Sequence, residues 1–326
     1  MIAAWYDSQG PAQDVLQLGE LATPRPGPGE VRVRLSLSSI NPGDTKKRRG
    51  WLGSSMTYPR VVPHSDGSGI VDAVGSGVEQ SRVGERVWVF GAQSYRAFGT
   101  AAQFTVVPEW QAIALPDSVA TEVAACLGIP GITAHRAVFG DGSVEGKTVL
   151  VQGVLGGVGS LAAQLARWKG ATVIGTVRTA ADLEQARASG TDMAVALDDP
   201  NAALQVREFA GGGVDRIVEV AFSENIDFDA AVAKNDTVIA AYGTREDRPS
   251  LPFWPMLFDN VTIRLLGSDD FSREVKMMAA RDLTEAVSVG AMSISVDDPM
   301  PLDRIADAHD RVDAGTRSRV VLQIPE

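Results

Sequence analysis

The sequence predicts an α/β protein in two parts, a compact β barrel followed by a doubly wound parallel sheet with helices on both faces. Three observations carry this expectation. In VRVRLSLSSI (31–40), apolar Val31, Val33, Leu35 and Leu37 alternate with Arg32, Arg34, Ser36 and Ser38, the period of a half-buried strand. From about Val119 the texture changes, and short apolar runs begin to alternate with helical stretches. Between them, VLVQGVLGGVGS (149–160) joins an apolar run to clustered glycines and then directly to a helix pattern.

Along the chain, further strand-like runs at Gly69–Val74, Arg86–Phe90 and Ala102–Val107 are separated by glycine-rich or proline-containing turns, which suits a barrel. A helix is expected through Ala134–Phe139, then a loop over Gly140–Gly146. Val149–Val151, Val173–Val177, Ala194–Leu197, Ile217–Val220, Val238–Ala241 and Val261–Leu266 are the candidate parallel strands. RPSLPFWP (Arg248–Pro255) reads as a proline-rich loop. Amphipathic helices follow near Arg273–Val289 and Leu302–Ala314, and then a strand, Arg319–Ile324. That tail is too short for a core of its own, so it is expected to return to the barrel. The expected domains are therefore residues 1–122 with 267–326, discontinuous in sequence, and residues 123–266.

At 326 residues the chain can build two substantial cores. No apolar run is long enough to span a bilayer, and MIAAWYDSQG lacks the basic-then-apolar order of a secretory signal. A net charge of −11 argues against a nucleic-acid surface and for a soluble, cytoplasmic protein. The single cysteine excludes an intrachain disulfide framework and a cysteine-rich zinc lobe; Cys126, in AACLGIP, reads as a buried inert thiol. No internal repeat or low-complexity tract is seen.

The glycine cluster carries the chemistry. Val158, Leu161, Ala162, Leu165 and Ala166 recur at spacings of three and four, one face of a helix. Gly156, Gly157 and Gly159 let backbone approach a ligand and let the helix lie close on its strand. Free amides and aligned dipoles at the helix start favour an anion. Strand, glycine turn and helix together form a pyrophosphate cradle for a dinucleotide. The next strand, TVIGTV (172–177), leads to Arg178 with no acid before Asp182. A carboxylate there would repel a 2′-phosphate, whereas a guanidinium can grip one, which favours NADPH over NADH. The alternative is that Arg178 is a solvated loop arginine. Thr179 and Asp182 have capping-box spacing and are read as structural.

SSINPGDT, DGSGIVDAVGSGV with VGERV, LGIPGITAHRAV and the glycine cradle together resemble the medium-chain dehydrogenase/reductase superfamily, within it the zinc-free, zeta-crystallin-like quinone oxidoreductases. The resemblance spans essentially the whole chain. It implies a GroES-like β-barrel catalytic domain, a Rossmann domain, NADPH, and hydride transfer in an interdomain cleft. In zinc-dependent relatives the ligand slots hold cysteine or histidine; here they correspond to Asn41, Ser65 and Ile129, which cannot supply a zinc ligand set. No zinc is expected.

Without a Lewis acid the substrate must already be electron-poor, as quinones and α,β-unsaturated carbonyls are; the protein then positions it and stabilises the developing oxyanion. The resemblance puts Asn41 and Asp44 near the nicotinamide. The Asn41 amide could donate to the substrate oxygen or orient a water, with Pro42 and Gly43 fixing the turn; alternatively Asn41 only caps its own Asn-Pro turn. By resemblance Thr133 lies against the nicotinamide, and Gly153, Leu155, Gly156, Gly157 and Val158 at the pyrophosphate. Thr176 and Arg178 fall at the adenosine phosphate, and Tyr242, Gly243, Gly267, Ser268 and Asp269 at the ribose and nicotinamide. Two departures stand out: Val154 occupies a fingerprint position usually held by glycine or alanine, and Lys46 and Lys47 replace a tyrosine common in relatives. Trp51, Tyr58 and His64 are nearby candidates for lining the pocket, the alternative for each being a packing or surface role. The alternatives are an enoyl-thioester reductase using the Lys46–Arg49 cations, and a non-catalytic NADPH-binding crystallin-like or regulatory protein. By analogy, Val261–Leu266 is expected to extend the sheet across a two-fold axis in a homodimer or homotetramer.

Overall fold

The computed structural model describes the backbone of residues 1–326 and every side chain except that of Leu52. The chain forms two compact units: Met1–Pro130 with Lys276–Ser288 and Ser293–Glu326, and Gly131–Val275 with Val289–Met292.

The first unit opens with an antiparallel pair, β1 (Ile2–Trp5) and β2 (Gln17–Glu20), joined through the short α1 (Ala12–Val15). Then come β3 (Glu30–Ser39), α2 (Pro42–Arg49), β4 (Asp66–Val74), β5 (Arg86–Val89), β6 (Phe104–Pro108), β7 (Ala112–Ala114), α3 (Thr121–Ala125) and the start of α4 (Gly128–Phe139). The alternating strand anticipated at 31–40 is the spine. One edge of β3 pairs with β4 along its length, and the other is shared between β6 and a strand from the tail, with register shifts at Arg32/Val33 and Leu35/Leu37. Those irregularities bend the sheet around a core of Val31, Val33, Leu35, Val71, Val87, Val89 and Val107. Burying each such side chain contributes roughly 1.5–3 kcal/mol.

Asn41–Gly43 is not a simple turn. It is the start of α2, with Pro42 at the first helical position, where its missing N–H costs nothing. RPSLPFWP is also corrected: a helix begins inside it, at Phe253.

The second unit contains β8 (Thr148–Val151), α5 (Gly157–Trp168), β9 (Thr172–Val177), α6 (Leu183–Ala188), β10 (Met193–Ala196), α7 (Ala202–Phe209), β11 (Val214–Glu219), α8 (Phe222–Val232), β12 (Ala233–Ala241), α9 (Phe253–Phe258) and β13 (Thr262–Leu265). All six strands are parallel, in the order β10-β9-β8-β11-β12-β13. The order reverses between β8 and β11, the switch point at which open α/β sheets bind ligands beyond their strand ends. Val149, Leu150 and Val151 are buried on both faces, as a central parallel strand requires. The Thr179–Asp182 capping box is not formed: Thr179 makes no side-chain cap, and a 3₁₀ turn at Ala180–Asp182 leads into α6.

The remaining elements are α10 (Arg273–Ser288), β14 (Met300–Pro301), α11 (Ile305–Ala314) and β15 (Val321–Gln323). β15 runs antiparallel to β3, pairing Val321 with Ser39 and Leu322 with Ser38, while Leu302, Ile305 and Leu322 enter the first core. The tail does return to the first unit.

Candidate active site

In the second unit a glycine turn is built at the carboxyl ends of the parallel strands. After β8, Gln152 N–H donates to Val218 O at 2.9 Å and Val154 N–H to Thr176 O at 3.1 Å, so the turn is fastened to both neighbouring strands. Gly153 takes φ 64°, in the left-handed region, and Gly156 N–H closes the turn on Gly153 O at 2.9 Å. Gly156 then caps α5, leaving the amides of Gly157, Val158 and Gly159 without intrahelical acceptors. Leu155 and Val158 flank them, half-buried. Val154, unexpected at its position, is fully buried, and its Cγ1 fills the space above Gly175 of β9, where a Cβ would meet it at 2.8 Å. A large side chain on the turn is thus matched by a missing one on the strand.

Arg178 follows β9 and is exposed. Thr176 is different: it is fully buried, its Oγ1 accepting the Gly153 N–H at 3.1 Å and donating to Gln152 Oε1 at 2.6 Å. It therefore supports the turn from below rather than facing a phosphate. Thr133 is buried on α4. Tyr242 and Gly243 follow β12: Tyr242 N–H donates to Glu219 O at 3.0 Å, and Gly243 O accepts from Phe222 N–H at 3.0 Å. Burial and the Glu219 charge push the Tyr242 phenol above its ordinary value. After β13, Gly267 caps a 3₁₀ turn, Ser268–Asp270, which holds Ser268 and Asp269.

The first unit carries a second polar cluster. Asp44 Oδ2 accepts the Asn41 N–H at 2.8 Å, so this acid caps α2. The Asn41 side chain is gripped at both ends: Nδ2 donates to Asp66 Oδ2 at 2.7 Å, and Oδ1 accepts from Arg319 Nη2, which also reaches Ser39 Oγ and Ile40 O. Asp66 Oδ2 also accepts the Ile129 N–H at 2.9 Å, while its Oδ1 is buried without a donor. Burial pushes Asp66 from 3.8 up to about 7, against the pull of Asn41 and with a push from Asp44.

Asp66 and Arg319 were not anticipated. Asp66 lies inside DGSGIVDAVGSGV and was open to discovery; Arg319 is 278 residues from Asn41, and no local pattern announces it. His64 is not a pocket residue. It is fully buried at φ 75°, its Nδ1 on Ser38 Oγ and its Nε2 2.8 Å from His309 Nε2, and burial lowers it to about 3, so the pair is neutral. Tyr58 donates to Tyr95 O at 2.5 Å, and half-exposed Trp51 lies under the Lys46 ammonium at 4.8 Å.

At two of the three positions matched to zinc ligands the polar atoms are engaged within the protein. Ile129 offers only a backbone N–H already spent on Asp66, and a guanidinium occupies the Asn41 oxygen. Among the described residues no group of three His, Cys, Asp or Glu side chains could hold an ion.

Comparison with known proteins adds to this geometry. Residues 27–117 match the alcohol dehydrogenase GroES-like domain, and residues 157–281 the zinc-binding dehydrogenase family. Human quinone oxidoreductase is 27% identical over 316 residues, 95% of this chain and 93% of its own. Among solved structures, an NAD-dependent alcohol dehydrogenase has a TM-score of 0.88 at 28% identity over 100% of both chains. A mycobacterial protein complexed with NADPH has a TM-score of 0.83 at 28% identity over 99% of each. The coenzymes named for these two structures differ.

Proposed function

The chain belongs to the medium-chain dehydrogenase/reductase superfamily, with quinone oxidoreductases among its relatives, and from that premise we propose an NADPH-dependent, zinc-independent reductase of quinones or α,β-unsaturated carbonyls. The observation that carries the reading is the setting of Asn41, held by a carboxyl and a guanidinium where zinc-dependent relatives place a metal ligand. A substrate that needs no Lewis acid suits such a site.

NADPH supplies the hydride. Gly156, Gly157 and Val158 with the free amides of α5 would hold its pyrophosphate, and Arg178 its 2′-phosphate. Thr133, Tyr242, Gly243, Gly267, Ser268 and Asp269 are the candidates for the ribose and nicotinamide. With its Oδ1 spent on Arg319 and one N–H on Asp66, Asn41 keeps one amide hydrogen for a substrate oxygen. Asp44 supports that residue by fixing the start of α2 and takes no direct part. The thioester alternative keeps fewer of its cations, Lys46 resting over Trp51 and Arg49 half-exposed. Arg48, 1% exposed, is spent on Gly10 O and Asp313; Arg49 pairs with Asp313, and Lys47 reaches Gln93.

A homodimer built on the edge strand β13 belongs to the same proposal. Leu265 on that strand is 75% exposed, and Phe253, Trp254 and Phe258 of the preceding α9 are exposed too. Among the described residues no helix is long and apolar enough to cross a membrane, and a cytoplasmic location is proposed with the rest.

The test is NADPH oxidation with a panel of quinones and enones, before and after chelator treatment, beside NADPH and NADH titrations. Turnover that survives chelation, with NADPH preferred, is expected. Activity restored only by added zinc would overturn the metal-free reading. Tight NADPH binding without turnover on any acceptor would favour the non-catalytic alternative.

A further inference from the structure

Beneath the glycine turn runs a buried polar chain that the reaction proposed above does not use. Gln152, fully buried, accepts from Thr176 Oγ1 and donates through Nε2 to Asp229 Oδ1 at 2.7 Å. Thr176 Oγ1 in turn takes the Gly153 N–H. These bonds fix which way the Gln152 amide faces, and with it the seating of Gly153. Glu219, at the end of β11, is acceptor on both oxygens: Oε1 takes the Ala221 N–H and Asn225 Nδ2, and Oε2 takes Asn225 Nδ2 at 3.2 Å. That is the pattern of an ionised carboxylate.

Asp229, on α8, is the anomaly. Its side chain has no exposure, and Oδ2 receives no N–H or O–H. The Asp229 side chain lies within hydrogen-bond reach of the Glu219 carboxyl, and two ionised carboxylates cannot bond each other. The contact becomes a hydrogen bond only when one acid keeps its proton, and the donors around Glu219 leave that role to Asp229.

We propose that Asp229 is a positioning residue for the coenzyme turn and works as a neutral acid. Its Oδ2 proton is donated to Glu219, while Oδ1 holds Gln152 and, through Thr176, the Gly153 turn. The proposal rests on the coenzyme reading above. Burial and the adjacent Glu219 charge act in the same direction, raising Asp229 well above the usual carboxylate range. Among the described residues no cation faces the pair to offset a second charge. Arg207 of α7 is turned to the Ala231 and Ala233 carbonyls, Arg216 of β11 pairs with Asp141, Lys234 of β12 with Asp215, and Arg245 with Glu224. The Tyr242 phenol, within reach of the Glu219 charge, is held neutral.

Asp229→Asn and Asp229→Leu separate the neutral acid from a mere buried side chain. The asparagine keeps the Oδ1 acceptor and puts an N–H where the proton was; the leucine removes both. Two measurements are made: urea unfolding of the ligand-free protein from pH 5 to 9, and NADPH titration by fluorescence at pH 7. The wild type should lose stability relative to Asp229→Asn as pH rises, its unfolding constant growing by up to about tenfold per pH unit while the folded state keeps a proton the unfolded chain has lost. Asp229→Asn should bind NADPH within about threefold of wild type, and Asp229→Leu about tenfold or more weakly, the scale of one lost buried hydrogen bond. Parallel stability curves for wild type and Asp229→Asn would overturn the proposal even if Asp229→Leu fails to fold. So would an Asp229→Leu protein that binds NADPH like wild type. Absence of NADPH binding in the wild type would instead overturn the coenzyme reading, leaving the stability comparison to judge the proton.

Discussion

Gly159→Ala perturbs the coenzyme cradle by a single methyl group. Gly159 stands in the first turn of α5, where the helix lies on the turn from which it grows. A Cβ there falls about 0.6 Å inside the 3.0 Å that real Cβ contacts respect, against the Gly153 carbonyl oxygen, with Val154 Cα at 3.2 Å behind it. The obstacles are backbone, pinned by the bonds from Gly153 and Val154 to Thr176, so nothing swings aside. The helix start must therefore retreat by about half an ångström or more, which stretches an amide-to-phosphate bond of about 2.9 Å to roughly 3.5 Å, beyond useful hydrogen bonding. Two charge-assisted bonds lost at about 1.5 kcal/mol each, the low end of their range, weaken NADPH about a hundredfold. Overpacking costs the fold a further 1–3 kcal/mol or so. Fluorescence titration with NADPH and urea unfolding measure the two effects. A Gly159→Ala protein that binds NADPH within threefold of wild type would refute the reasoning.

Three further outcomes are expected. Arg178→Glu should weaken NADPH at least about tenfold and leave NADH unchanged or improved, since the guanidinium is replaced by a charge that repels the 2′-phosphate; equal losses for both coenzymes in parallel titrations would remove Arg178 from the phosphate site. Asp66→Asn should alter the pH dependence of stability. The folded carboxyl, at about 7, lies above its ordinary 3.8, so its contribution is full at acid pH and fades as pH rises through that window, by about 1.4 kcal/mol per unit and about 4 kcal/mol across it; identical urea midpoint profiles for wild type and variant would count against it. Leu265→Arg, on the exposed edge, should convert the proposed dimer to monomers by analytical ultracentrifugation with NADPH binding retained, and an unchanged sedimentation coefficient would place any interface elsewhere.

Much of the second unit was legible because its signals are local. Each parallel strand is a short apolar run, and the glycine turn sits directly between strand and helix. α2 was not legible: PGDTKKRR carries no apolar stripe, and the helix is set by Pro42 at its start, the Asp44 cap, and buried Thr45 and Arg48. α9 was hidden by its prolines, although Pro255 falls in the first turn, where no N–H is required. The glycine turn and the place of Arg178 after β9 could be read from spacing, whereas the buried setting of Thr176 could not. Its hydroxyl is committed to Gln152 and Gly153, and only the sheet register reveals that. Val154 departs from the usual glycine or alanine, and Gly175, on the neighbouring strand, accounts for its volume.

The glycine turn and the Asn41 cluster are each closed over a very different span of chain. The glycine turn is braced by Thr176, 23 residues from Gly153, within a nearly continuous stretch. The Asn41 amide acquires its orientation only when Arg319 returns across 278 positions. Closing the longer loop costs more entropy and comes later. A refolding molecule should thus grasp its nucleotide before it can present the amide, and regain of fluorescence quenching should precede regain of turnover.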